Sequence, residues 1–281
     1  MKKFLLLAIV ALFSIHIYSQ NTYKFYLDLN KISNDLIKVT LETPTITQDK
    51  IIYNMPKIVP GTYQVYDFGQ YVMDFEAFDG NGVSISVNRL DQNRWEISNA
   101  TKLHRITYWV EDTWDADVDE LVFEPGGTNI EQFENVVLNN HGFFGYFDDM
   151  KTIPYELNIT RPEYFYGSTG LTTVSTTENT DKFTIDNYMD LVDSPIMYCK
   201  PDTTTFEVGG AKILVSVYSK NKIAPSKILA TDIEAILKAQ QAYLGGKLPI
   251  EKYAFIIYQK LNQVVFQDFW LILLHTSFFT L

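Results

Sequence analysis

Three aspartates, Asp115, Asp117 and Asp119, have the D-x-D-x-D spacing that points alternate carboxylates at one calcium ion. An EF-hand then needs Gly at the sixth position and Glu at the twelfth. Here those positions hold Glu120 and Gly126, so the match fails and residues 112–120 read as a solvated acidic loop. The single cysteine, Cys199, follows Ile196-Met197-Tyr198. It has no disulfide partner in the chain and no zinc-knuckle spacing, and its apolar neighbours predict a buried structural thiol. His141 stands beside Phe143-Phe144-Gly145-Tyr146-Phe147 at a strand end, where a packed or hydrogen-bonded imidazole is the expectation. No nucleophile with a base and an orienting partner emerges. The residue types that could do chemistry do not converge on any.

The elements that must position these residues are mostly strands. Residues 23–29 and 36–41 alternate in hydropathy, and 51–55 is a third short apolar run. Tyr71, Met73, Phe75 and Ala77 are expected on one strand face. Asp79-Gly80-Asn81-Gly82 then signals a hairpin, returning through Val83, Ile85 and Val87. Residues 93–97, 106–110, 136–140, 155–159, 182–185 and 206–208 continue the pattern, and the Thr-rich stretch 172–181 reads as a loop. The expected fold is mainly β: an N-terminal β-sandwich or curved antiparallel sheet.

The character changes near Ala211. Ile213, Val215 and Val217 alternate, and Pro225-Ser226 opens a helix with Ser226 as the expected N-cap. Leu229, Ile233, Ile236, Leu237, Tyr243 and Leu244 are expected to form its buried face, and Gly245-Gly246 to end it. An apolar strand over 253–258 follows, predicted to be an unpaired edge and hence a solubility liability. From Val264 onward the only charge is Asp268, a stretch too short to span a bilayer and too apolar for a free tail. It reads as a buried strand or an abnormal end.

Composition bounds the function. The chain has 281 residues, is 46% apolar and 15% aromatic, and carries a net charge of −11, enough for a sizeable core and unsuited to nucleic acid or an anionic membrane. Lys2-Lys3 and the apolar run 4–13, with Ser19 at the expected cleavage point, read as a signal peptide over 1–19. Its removal leaves 21 basic against 34 acidic residues. The expectation is export to the periplasm or medium, with no stable membrane span afterwards.

The stretch 55–68, Met-Pro-Lys-Ile-Val-Pro-Gly-Thr-Tyr-Gln-Val-Tyr-Asp-Phe, reads locally as a strand, a stiff crossing and a second strand carrying Tyr63, Tyr66 and Phe68. Pro60-Gly61 fits the centre of a type II turn. Its wording, Met55-Pro-x-x-x-Pro60-Gly61-Thr-Tyr63 with Asp67-Phe68 after it, resembles the N-terminal β domain of the glycyl aminopeptidases, metallopeptidase family sixty-one. Trp95, Tyr188-Met-Asp-Leu-Val-Asp-Ser-Pro195, Tyr243-Leu-Gly-Gly-Lys-Leu-Pro249 and Tyr253-Ala-Phe255 match in the same order, so the resemblance runs from about Tyr23 to Tyr258. Tyr66 departs from it, standing where many relatives carry arginine.

The resemblance implies a β domain over 20–209, then the incomplete start of a thermolysin-like α/β catalytic domain over 210–281. The family uses zinc held by H-E-x-x-H on a helix, where two imidazoles one turn apart share the ion and the glutamate acts as base. This sequence has no H-E-x-x-H. Relatives carry a Gly-Gly-x-Glu-His-like cleft segment before the zinc helix. Leu273-Leu-His275-Thr-Ser277 stands in that place, with His275 as its remnant, Leu274 where the glutamate would be, and no glycines. The end of the chain reads as family sequence interrupted by a frameshift or truncation. The expectations are no catalytic, cofactor or metal ligands in this chain, Pro60, Gly61 and Tyr63 as structural family tags, and peptide as the partner. The competing reading is a stand-alone β-sandwich module that binds peptide or glycan.

Overall fold

The computed structural model describes residues 21–60, 62, 64–118, 121–259 and 269–272. The expected signal peptide, Gly61, Tyr63, Asp119 and His275 lie outside the described residues. The largest sheet has eight strands in the order β14 (Thr173–Thr176), β15 (Thr180–Ile185), β12 (Tyr155–Thr160), β1 (Tyr23–Asp28), β2 (Leu36–Glu42), β8 (Leu103–Glu111), β4 (Val72–Asp79) and β5 (Ser84–Ile85). A four-stranded sheet contains β11 (Tyr146–Phe147), β3 (Lys50–Asn54), β7 (Arg94–Ser98) and β6 (Val87–Arg89). Another contains β13 (Tyr166–Thr169), β16 (Ile196–Cys199), β10 (Asn135–Leu138) and β9 (Asn129–Glu131). The chain is mainly β, as its alternation predicts.

Alternation explains β1 directly: Tyr23, Phe25 and Leu27 are buried while Lys24, Tyr26 and Asp28 face outward. The eight-stranded sheet packs on the β11–β3–β7–β6 sheet through rings. Tyr53 of β3 lies 6.1 Å from Tyr108 of β8, Phe75 of β4 stacks at 4.8 Å on Trp95 of β7, and Phe147 of β11 stacks at 5.8 Å on Tyr23 of β1. Such pairs add about 0.5–1.5 kcal/mol each beyond their area burial. The buried hydroxyls are chained. Tyr108 donates its only proton to the Phe143 carbonyl at 2.6 Å, so Tyr53 must donate to Tyr108 at 3.0 Å, and Tyr53 in turn accepts from the Gly145 amide at 2.9 Å. Burial pushes both phenols far above their ordinary pKa, so the chain keeps its protons. Gly145 is required by proximity: a Cβ there would meet the Asn54 carbonyl at 2.3 Å and the Tyr53 ring at 2.7 Å.

Several sequence expectations need correction. The big sheet is not wholly antiparallel, because β1 runs parallel to β12 from Tyr23↔Tyr155 to Asp28↔Thr160. The Thr-rich stretch 172–181 is no loop: it forms the β14–β15 hairpin, closed by Thr177 N to Thr180 O at 2.8 Å. All four residues of β14 are exposed, so this edge strand has no apolar face for alternation to reveal. The face expected for Tyr71, Met73, Phe75 and Ala77 is broken by a bulge between Met73 and Glu76, where Asp74 takes a φ of 50°. The strand expected over 136–140 ends at Leu138, and Asn140 opens a short helix, α1 (Asn140–Phe143); a second short helix, α2 (Tyr188–Val192), precedes β16. The hairpin at 79–82 is as expected, with Asp79 Oδ1 accepting from the amides of Asn81 and Val83 at 2.9 Å each.

Beyond residue 200 the chain builds a fourth sheet, β17 (Thr203–Val208), β18 (Ala211–Ser219), β19 (Lys252–Gln259) and β20 (Phe269–Ile272). β18 and β19 are parallel, joined by the helix α3 (Ser226–Tyr243). β19 is not the expected bare edge, since β20 pairs antiparallel with it from Ile256↔Ile272 to Gln259↔Phe269. Ser226 is not the N-cap of α3 either. Pro225 holds that position, the Ser226 amide donates to Asp202 Oδ1 at 3.1 Å, and the Ser226 hydroxyl meets Thr204 Oγ1 at 2.8 Å. The helix buries less than its pattern predicts. Ala230 and Leu237 are buried, whereas Ile236 is 59% and Tyr243 89% exposed. It lies over β17 and β18, so its flank above β19 faces an open apolar groove of about 210 Å³ lined by Ile236, Tyr253 and Phe255.

Candidate functional site

The stretch 55–68 is the place where sequence wording and structure meet. The second strand expected through Tyr66 and Phe68 does not form, because its amides turn inward to the same loop. Tyr66 N and Asp67 N both donate to the Lys57 carbonyl at 2.9 and 3.0 Å, and Phe68 N donates to the Pro56 carbonyl at 3.2 Å. Thr62 closes the tip, donating its amide at 3.2 Å and its hydroxyl at 2.8 Å to the Val59 carbonyl. These amides are thereby taken from any sheet ladder. A 3-10 turn over Phe68–Tyr71 follows, entered through Asp67 at a φ of 48°.

Two contacts fix this loop to the core. Asn93 Nδ2 donates to the Asp67 carboxylate at 2.7 Å while Asn93 Oδ1 accepts from Gly69 N at 2.9 Å. Gly69 approaches so closely that a Cβ would stand 2.3 Å from the Gln92 carbonyl. On the inner side the Phe68 ring meets His141 edge-on at 4.6 Å, and a Cβ on Gly126 would meet the Thr62 methyl at 2.7 Å.

His141 is therefore a structural imidazole, as its aromatic neighbours predict. It is fully buried in α1, and its Nε2 donates to the Gly126 carbonyl at 2.8 Å. Burial drives its pKa down to about 4, against the carbonyl contact, which favours the charged form. Cys199 is buried likewise, and burial pushes its thiol up to about 12, leaving no thiolate at neutral pH. Of the acidic run, Asp115 and Asp117 are described and gather no metal-ligating group. The informative carboxyl is Asp112, which the sequence placed in a solvated acidic loop and the structure buries. Its oxygens accept from the amides of Trp114 and Ile130, and burial raises its pKa to about 7.

The outer side of the loop lines an open groove of about 530 Å³. Lys57 and Pro60 belong to the loop wall, and Lys151, Tyr188 and Met189 to the opposite one. Lys151 Nζ stands 4.1 Å from the Tyr146 ring centroid. Ile58 and Met189 are 51% and 57% exposed, apolar lips beside the two lysines. Arg94, at the groove end, is paired with Asp91 at 2.8 Å. The groove can hold an apolar side chain next to a carboxylate; its described lining residues include no nucleophile–base pair. Pro60 is exposed at its rim, and sequence reading missed the lysines because they are far apart in the chain.

Among the described residues no three His, Cys, Asp or Glu side chains stand close enough to hold a metal ion. His141 is buried with its Nε2 bonded to a carbonyl, His104 is exposed on β8, and the sequence contains no H-E-x-x-H. The described residues do not form a zinc site.

Comparison with known proteins gives the following. The family described as Peptidase M61 N-terminal domain matches residues 24–200. The solved structure of an aminopeptidase N family protein from Idiomarina loihiensis is similar at a TM-score of 0.73 and 21% identity, over 84% of this chain and 39% of that one. An M1 zinc metallopeptidase from Deinococcus radiodurans aligns at a TM-score of 0.44 and 10% identity, over 84% of this chain and 55% of that one. The chain thus spans about 39% of the first of these and about half of the second. No curated protein matches.

Proposed function

The chain belongs to the peptidase M61 family through its N-terminal domain, and from that premise we propose that it is the non-catalytic β portion of an exported zinc aminopeptidase-like protein. In this reading it cleaves nothing by itself, because the family's chemistry needs H-E-x-x-H and the sequence has none. Its role is to hold the sheet β17–β20, the first layer of the peptidase unit, in a fixed orientation.

The observation that carries this reading is the buried seam between the two parts. Val137 of β10 and Met197 and Cys199 of β16 form one apolar cluster with Ile256 and Tyr258 of β19, and Trp114 packs against it, edge-on to Tyr258 at 4.8 Å. Polar groups reinforce it. Ser168 Oγ donates to Ser216 Oγ at 2.6 Å, Tyr258 donates to Glu131 at 2.9 Å, and Lys220 reaches Glu131 at 2.7 Å and Glu134 at 3.1 Å. A seam that is apolar at its centre and hydrogen-bonded at its rim resists relative motion of the parts it joins.

Amide hydrogen exchange tests the scaffold role. The amides of β18 and β19 are expected to exchange as slowly as those of β10 and β16, because all four strands meet at one seam. Fast exchange in β18 and β19 while β10 and β16 stay protected would overturn it.

Export rests on the N-terminal run of lysines and apolar residues. No helix among the described residues is long and apolar enough to cross a membrane. The groove over residues 54–60 favours a second element of function: with apolar lips beside Lys57 and Lys151 it suits an extended peptide bearing an acidic group, which the β portion would hold whether or not a peptidase unit follows.

A further inference from the structure

A second opening, unrelated to the loop at 55–68, lies at the end of the seam. In the fourth sheet Glu207 pairs with Lys212 and Lys212 with Lys252, so these three residues form a cross-strand row on one face. It is the face turned toward β13. Between them is a cavity of about 420 Å³, lined by both lysines and Glu207, by the hydroxyl-bearing Tyr166, Thr169, Thr173 and Thr205, and by apolar residues of β17 and β18.

The lysines are not neutralised. Neither Lys212 nor Lys252 forms an ion pair among the described residues, although Glu207 stands beside them. Lys252 is half-buried, and its ammonium donates to the Leu171 carbonyl, leaving further donors. Desolvation lowers its pKa, which marks a cation lacking a counter-charge. In a chain of net charge −11, two lysines against the one carboxylate of Glu207, unpaired with it and facing a cavity with four hydroxyl-bearing residues, need an explanation.

We propose that this cavity binds a phosphate or sulfate group, with Lys252 and Lys212 supplying the charge and the hydroxyls of the β13 side the remaining donors. A tetrahedral oxyanion suits this lining better than a carboxylate does, because it offers more oxygens to the two ammonium groups and several hydroxyls than a carboxylate's two. The cavity volume also leaves room for a group attached to the anion, such as a sugar ring. The inference goes beyond the scaffold role and does not depend on it.

Titration of the full chain with inorganic phosphate, sulfate or acetate at constant ionic strength tests the site, read as the thermal midpoint. Phosphate and sulfate are expected to raise the midpoint with the logarithm of their concentration, and acetate to leave it unchanged. Lys252→Met keeps the aliphatic stem and should abolish the response. Lys212→Met, at an exposed lysine whose loss leaves folding intact, should weaken binding at least tenfold, and Lys102→Gln, on a distant surface turn, should not change it. A sugar phosphate that binds more tightly than the free ion would identify the ligand as an attached group; equal binding would identify the ion itself. No response to phosphate, or an equal response in the Lys212→Met and Lys102→Gln chains, would overturn the proposal.

Discussion

Replacing Arg161 with methionine is expected to destabilise the chain by roughly 3–5 kcal/mol, the usual effect of breaking a buried ion pair from one side. Arg161 follows directly on β12 and is 6% exposed. Its Nε donates to Asp181 Oδ2 at 2.7 Å and one Nη to Asp181 Oδ1 at 3.3 Å, a two-pronged pairing. The remaining donors reach the Thr177 carbonyl at 3.3 Å and the Glu178 carbonyl at 3.2 Å, so this side chain also holds the turn of the β14–β15 hairpin. Methionine fills much of the volume and makes none of these bonds, which leaves the Asp181 carboxylate buried without its cation. The double change Arg161→Met with Asp181→Leu removes both charges and should recover most of the loss. Urea unfolding checks this through midpoints at unchanged slope. A loss below about 1 kcal/mol for Arg161→Met would show that the pair is no anchor.

The second large effect is a pair of opposed pH dependences. Asp112, with an ordinary pKa of 3.8, is raised to about 7 by burial and further by the charges of Asp115 and Asp35. Its folded form keeps a proton that the unfolded chain gives up, so its contribution is complete below about pH 4 and is lost as pH rises through 7. His141 has the reverse sign. Its pKa falls from 6.5 to about 4, so its contribution is complete above 6.5 and is lost as pH falls through 4. The two shifts correspond at most to roughly 4–5 kcal/mol for Asp112 and roughly 3–4 kcal/mol for His141. Between about pH 4 and 6.5 the two slopes cancel, and the stability of the native chain is expected to be nearly flat there. His141→Gln keeps an N–H for the Gly126 carbonyl and removes the titration, so stability should fall steadily as pH rises from 4 to 7. The carboxyls of Asp28, Asp91 and Glu156, held low by their hydrogen bonds and ion pairs, lose their contributions at the acid end of this range and below. A His141→Gln profile parallel to that of the native chain would contradict the assignment.

Sequence wording carried the family and much of the fold for a physical reason: strand alternation in β1 and β2, the Asp79–Gly82 turn and the β-helix-β succession after Ala211 are local signals. What it missed is non-local. The parallel pairing of β1 with β12 joins residues more than a hundred positions apart and leaves no mark in either strand. β14 escaped notice because neither of its faces is buried. Ser226 looked like a cap, but an acceptor from the distant Asp202 takes the first amide. Within residues 55–68, Pro60 marked a stiff turn correctly, yet no spacing rule says that the amides of Tyr66 and Asp67 go to Lys57 rather than to a neighbouring strand. The two lysine-bearing cavities were invisible for the same reason, since Lys57 meets Lys151, and Lys212 meets Lys252, only after folding.

The loop at 55–68 thus has two sides. Inside, Phe68 and Thr62 rest on His141 and Gly126 and tie the loop to the core. Outside, Lys57 and Ile58 frame the open groove that Lys151 and Met189 also line. The seam formed by Val137, Met197, Cys199, Ile256 and Tyr258 then carries that rigidity to the sheet β17–β20. These features are what the proposed scaffold role requires.

The most direct test of that account measures zinc and turnover together. The full chain, incubated with excess zinc and freed of unbound metal, is assayed for zinc per chain and for hydrolysis of peptides beginning with Gly or Ala. Zinc well below one equivalent, with no cleavage above the blank, is the predicted result. One tightly held zinc per chain accompanied by turnover would contradict it.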